Sequence, residues 1–188
     1  MNLVGIIVLL CWITLLSYWA VGAFFQKSVE KKSSYVSKLV HSFFMILPLV
    51  LLLGYNLYHP LSIVLVEQSL AVDLISIFLC VFGLIIDIWA RTTLAGNWSA
   101  QVVLKKKHEL VQNGPYRFVR HPIYSGYLLL FLGTTLAIGR VGGFIGLVTL
   151  FIGFWIKLRE EERLMTKTFG KGYLDYKKRT KALIPYVL

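Results

Sequence analysis

Two histidines, two arginines, two tyrosines and two prolines fall within the seventeen residues HELVQNGPYRFVRHPIY, positions 108–124 of a chain that is otherwise largely apolar. Imidazole, phenol and guanidinium groups at this density can move protons and hold charge. Asn113-Gly114-Pro115 is a turn signal, because Gly and Asn tolerate positive φ and Pro presets its own. Arg120-His121-Pro122 is a second break. Pro122 pushes His121 out of the α region and suits a first helical position, so a helix is expected to start there with free N–H groups at a membrane surface.

A second chemical element lies further on, in Lys157-Leu158-Arg159-Glu160-Glu161-Glu162-Arg163-Leu164-Met165. At roughly 100° per residue, a helix puts Glu161 with Phe154, Leu164 and Met165 on its apolar side. Arg159, Glu160 and Arg163 then face away, and Glu160 and Glu162 are expected to be solvated. A carboxylate on an apolar face needs a partner or a task. Lys157, four residues earlier, is one available partner, so spacing alone leaves Glu161 open between a structural and a functional role. Together, His108, Tyr116, His121, Tyr124 and Glu161 describe a pocket at the inner membrane surface, where a carboxylate among aromatic rings suits a cationic ligand.

The elements that must position these groups are membrane helices. With 57% hydrophobic and 15% charged residues, the 188-residue chain is too apolar for an ordinary soluble domain. Five spans are expected: residues 3–25, 39–58 with Pro48 inside, 70–89, 123–138, and a fifth that follows a sharp turn at Gly139-Arg140-Val141-Gly142-Gly143 and runs to about residue 155. The first run is read as a retained span, because no positive residue precedes it and it is longer than a signal peptide needs. Gly142 and Gly146 share a face and permit close helix approach. Of twenty Lys and Arg, Arg140 alone falls in an expected outer loop, which places the N-terminus outside and the C-terminus inside. The formal charge of +11 therefore marks a membrane surface and argues against a nucleic acid partner. Cys11 and Cys80 both fall in spans and read as packing residues, with no metal site. His41 reads as an interfacial side chain, and Asp87 with Arg91 as an i,i+4 pair.

GPYRFVRHPIYSG, with HELV before it and the EEE helix and FGKGYLDYKKRTKALIP after it, resembles the isoprenylcysteine carboxyl methyltransferase family, part of a membrane methyltransferase superfamily that includes phospholipid N-methyltransferases. The likeness covers residues 97–185; the first spans share only hydropathy. It implies an all-α polytopic membrane protein of about five transmembrane helices, with a cytoplasmic connector and a C-terminal helix forming the cofactor site. One integral membrane domain is expected over residues 1–188, with a three-span part at 1–95 and a catalytic part at 96–188. The implied cofactor is S-adenosylmethionine, held by Gln101, His108, Glu109, Leu110, Val111, Tyr116, His121, Pro122, Ile123, Tyr124 and Glu161. The catalytic set carried over is Lys157, Arg159 and Glu161. Lys157 stands where the family has a substrate-side arginine, so either Arg159 substitutes for it or the acceptor differs. The implied acceptor is the carboxylate of an isoprenylated cysteine or a similar lipophilic molecule. A phospholipid amine acceptor, a reductase relative and a non-catalytic relative remain alternatives.

Overall fold

The structure is a computed structural model that describes residues 2–24, 29–31, 34–95, 104–105 and 109–188. Among the described residues six α-helices carry the chain: α1 Leu3–Ala23, α2 Tyr35–Leu53, α3 Leu70–Leu94, α4 Pro122–Ile138, α5 Val141–Phe169 and α6 Lys171–Arg179. Helices α1, α2, α3 and α5 are long and apolar enough to cross a membrane, and α4 is a shorter apolar helix. The chain is thus an all-α integral membrane protein, with one addition: a two-stranded antiparallel ribbon of β1 Val29–Lys31 and β2 Leu104–Lys105. Large apolar side chains stay exposed along α1, α2 and α3, among them Leu10, Leu16, Phe43, Ile46, Phe78 and Ile85. In water such a surface is unfavourable; in lipid it is the required one.

Three of these helices begin at side-chain caps. Asn2, Ser34 and Ser69 accept from the backbone N–H of Gly5, Ser37 and Val72 at 3.0, 3.1 and 3.3 Å. The Ser34 cap starts α2 four residues before the apolar run begins, and the chain leaves the helix at a 3-10 turn over Gly54–Asn56, short of the expected residue 58. Helix α3 continues past the expected residue 89 to Leu94, so Arg91 lies within it. Asp87 and Arg91 remain within electrostatic reach of each other, as the i,i+4 spacing predicts, but their hydrogen bonds go elsewhere. Asp87 accepts the Trp19 indole N–H at 2.9 Å, whereas Arg91 donates to the carbonyls of Ala95 and Gly22, both at 2.8 Å. Arg91 serves backbone acceptors at two helix ends, which a single-helix view does not contain.

Close backbone approach decides which helices pair. Although α4 and α5 are consecutive, α4 packs mainly on α3 and α5 mainly on α2. A Cβ on Gly83 would lie 2.5 Å from the Gly126 carbonyl oxygen, and one on Gly126 would lie 2.7 Å from that of Gly83. Gly146 meets the Pro48 carbonyl of α2 in the same way, at 2.8 Å. Gly126→Ala is therefore expected to destabilise the protein by about 1–3 kcal/mol through overpacking. Gly172→Ala, where a Cβ meets nothing, should be neutral or slightly stabilising. Unfolding of both variants in detergent micelles checks the difference.

The connections sort to two ends. At one end β1, from the α1–α2 connection, pairs with β2, from the α3–α4 connection. At the other, the α2–α3 and α4–α5 connections meet at a Val64–Arg140 bridge, and Arg140 donates to the Ser62 carbonyl at 2.6 Å. This alternation matches the order of spans expected from hydropathy. It also brings the start of α4 and the continuation of α5 to the ribbon end.

Candidate active site

The corner before α4 is built by its own backbone. Gly114 has φ +56°, a conformation that favours glycine, and opens a 3-10 turn over Gly114–Arg117. His121 sits at φ −126°, ψ 59°, outside the α region, and Pro122 occupies the first turn of α4, as the His-Pro dipeptide predicts. From the far end of the chain, residues 180–183 return alongside this corner. Arg120 and His121 donate their backbone N–H to the carbonyls of Lys181 and Ala182 at 2.8 and 2.9 Å, and the Ser125 hydroxyl donates to the Leu183 carbonyl at 2.6 Å. Burial pushes the Tyr176 hydroxyl of α6 up to about 12, so it stays protonated and donates to the Tyr116 carbonyl at 2.6 Å. The corner is strapped on both sides.

Helix α5 runs beyond its apolar part and presents three glutamates to three different environments. Glu161 Oε1 accepts the Tyr124 hydroxyl at 2.6 Å, and Glu161 Oε2 stands 3.5 Å from His121 Nδ1. Glu162, expected to be solvated, is buried. Its Oε1 takes Arg120 Nε and Nη2 at 2.7 and 2.6 Å, its Oε2 takes Lys177 Nζ at 2.6 Å, and His121 Nε2 lies 3.6 Å away. The wheel of a lone helix misplaces it because its partners come from the corner and from α6. Glu160, also expected to be solvated, is half-buried against α2, where it accepts the Ser37 hydroxyl at 2.7 Å and stands 3.6 Å from His41 Nε2.

A row of rings leads from this cluster into the helix core. His121 stacks on Tyr124 with 5.4 Å between centroids, Tyr124 on Phe154 with 4.5 Å, and Tyr127 meets Phe154 edge-on at 5.6 Å. The Lys157 ammonium lies 5.4 Å over the Tyr124 ring. His121 is the titratable centre. Burial opposes its protonation, but the carboxylates of Glu161 and Glu162 outweigh burial and hold its pKa above the usual histidine value. A value raised on folding makes a stabilising contribution that is complete below the unfolded value of about 6.5 and is lost as pH rises through the folded one.

Of the residues singled out in the sequence, His121, Tyr124, Glu161 and Lys157 come together here, and Pro122, Ile123 and Tyr116 are buried around them. Leu110 and Val111 are half-buried nearby in the chain, with Val111 packed on the core, and Glu109 is exposed. Gln101 and His108 lie outside the described residues. Arg159 is not brought to the cluster: it is exposed, with its guanidinium 5.0 Å over Trp155. Sequence reasoning gives no site role to Arg120, Glu162, Lys177 or Phe154. Arg120 and Glu162 adjoin residues that were singled out, and adjacency was the available signal. Chemically, the arrangement is an ionised carboxylate gripped from two sides, next to stacked rings and an ammonium. Such a group can hold and orient a cation at the mouth of a helix bundle.

A family model described as phospholipid methyltransferase matches residues 72–172. The protein-S-isoprenylcysteine O-methyltransferase of Mus musculus is 32% identical over 114 residues, 59% of this chain and 40% of that protein. The Dictyostelium discoideum protein of the same name is 33% identical over 108 residues, 56% of this chain and 46% of its own. That of Saccharomyces cerevisiae is 30% identical over 128 residues, 64% and 53%. The chain spans about half the length, or less, of the curated relatives it matches.

Proposed function

The chain belongs to the phospholipid methyltransferase family, and from that premise we propose that it is an S-adenosylmethionine-dependent membrane methyltransferase acting on the carboxylate of an isoprenylated cysteine or a similar lipophilic acid. The observation that carries the reading is the Glu161 carboxylate held between Tyr124 and His121, inside the matched stretch and at the end of the helix bundle. The residues fit the cofactor. Its ammonium and sulfonium are cationic, and they call for a carboxylate and ring faces, which Glu161, Tyr124 and Phe154 supply. The Tyr116 hydroxyl is buried without a hydrogen-bond partner among the described residues, which leaves a polar group for a ligand to satisfy. When bound, S-adenosylmethionine supplies a methyl group activated by its sulfonium.

Each residue then has a limited task. Glu161 binds positive charge, and Tyr124 and His121 keep its two oxygens in place. Lys157 meets the acceptor carboxylate as a point charge, without the two-pronged geometry of an arginine. An acceptor carboxylate with a pKa of about 4 is already ionised at neutral pH, so no general base is required. The gain comes from orientation and from excluding water at the bundle mouth. Incubating the protein with methyl-labelled S-adenosylmethionine and a farnesylated cysteine analogue is expected to give label that mild alkali releases as volatile methanol. Label that enters only membrane phospholipid and resists alkali would overturn the carboxylate assignment in favour of an amine acceptor.

The site is assigned to the cytoplasmic face on the charge distribution, since the ribbon end gathers the Lys- and Arg-rich connections. With Cys11 and Cys80 replaced, Glu67→Cys should react with an impermeant thiol reagent added outside intact cells. Asp175→Cys should react only after the cells are opened. The reverse pattern would move the site to the other face.

A further inference from the structure

His121 stands between two carboxylates, with Nδ1 3.5 Å from Glu161 Oε2 and Nε2 3.6 Å from Glu162 Oε1. The two acids differ in role. Glu161 also takes the Tyr124 hydroxyl and feels the Lys157 charge. Glu162 faces the opposite way, into Arg120 and Lys177, and its side chain is only 6% exposed. We propose that Glu162 is a positioning residue for the cofactor site and acts through His121: its carboxylate keeps the imidazole protonated and in one orientation, so that the imidazolium in turn fixes Glu161. The ligand in this inference rests on the methyltransferase reading, whereas the control of the proton does not.

The geometry supports it in three steps. A neutral imidazole carries one N–H and one lone pair, so between two carboxylates one nitrogen would turn its lone pair toward an anionic oxygen. Protonation removes that repulsion and puts an N–H on both nitrogens; at 3.6 Å Nε2 meets Glu162 through charge and not through a hydrogen bond. The stacked ring of Tyr124, 2° from parallel, holds the imidazole plane in that orientation. The charged and titratable groups around it are Glu161, Glu162 and, beyond Glu161, Lys157 from α5. To these are added Tyr124 from α4, the adjacent Arg120, and Lys177 and Tyr173 from α6. Lys177 opposes Glu162. By pairing with Oε2 it drains the field that Glu162 exerts on the imidazole.

Two substitutions should therefore move the same proton in opposite directions, which a loss of bracing does not do. In ligand-free protein carrying 13C-labelled histidine, with the His121 resonance assigned by its loss in H121N, E162Q should lower the titration midpoint by about one pH unit, tenfold in proton affinity. K177M, at a half-exposed position, should raise it. S-adenosylhomocysteine binding should weaken several-fold in E162Q at about pH 8 and recover at about pH 6, where the imidazole regains its proton. E162D should stay near wild type. A midpoint that moves the same way in both variants, or does not move in K177M, overturns the proposal, as does a binding loss in E162Q that is equal at both pH values. If E162Q does not fold, the sign of the K177M shift decides. A wild-type chain that binds no S-adenosylhomocysteine overturns the methyltransferase reading alone.

Discussion

Arg120→Met is expected to destabilise the protein by about 3 kcal/mol, the largest single loss among substitutions outside the helix–helix contacts. Arg120 and Glu162 are both nearly inaccessible, with side chains 8% and 6% exposed, and two guanidinium nitrogens meet one carboxylate oxygen. Removing the guanidinium leaves a buried carboxylate with Lys177 and the His121 imidazolium as its remaining ionic partners, and it also frees the Thr180 carbonyl that Arg120 holds. A buried charge stripped of a partner costs far more than the intact pair contributes. The double substitution Arg120→Met with Glu162→Leu should accordingly recover a large part of the loss. Lys178→Met, at a pair with Asp175 exposed on both sides, should change stability by no more than about 0.5 kcal/mol. Chemical unfolding in micelles measures all three. A double variant no more stable than Arg120→Met would remove the argument.

What the sequence made legible was the local part of this site. Gly114, His121 and Pro122 set their own backbone through intrinsic conformational preferences, and the His-Pro break is found where steric rules put it. The spans were legible through hydropathy, and Glu161 through its place on an apolar face. What stayed hidden depends on partners far away in the chain. Glu160 and Glu162 flank Glu161 with the same side chain, and nothing local distinguishes them. Residues 37 and 177 do, because α2 supplies Ser37 to one and α6 supplies Lys177 to the other. Gly146 is legible as a site of close approach, but only tertiary packing shows that the backbone it receives is the Pro48 carbonyl of α2, with the Phe131 ring of α4 beside it. Arg91 shows the same limit: the i,i+4 rule offers Asp87, and only the folded chain adds the carbonyls of Gly22 and Ala95.

Glu161→Gln is expected to weaken S-adenosylmethionine or S-adenosylhomocysteine binding at least about tenfold, roughly 1.4 kcal/mol. The amide keeps the size of the side chain and one acceptor oxygen, so the Tyr124 hydroxyl can still donate. The charge is lost. The second position becomes an N–H₂ group facing His121 Nδ1, which repels an imidazolium. Two effects thus act in the same direction: a weaker field on a cationic ligand and a less well fixed group to meet it. Tyr124→Phe separates them, since it keeps the stack on Phe154 and the charge while removing one of the two groups that hold Glu161 in place. Its loss should lie between wild type and Glu161→Gln. Glu160→Gln, one residue away but turned toward Ser37, should leave binding close to wild type. Calorimetric titration of the purified protein reads all three variants on one scale, and equal losses for Glu160→Gln and Glu161→Gln would mean that net negative charge near the bundle mouth, and not the held Glu161 carboxylate, binds the ligand.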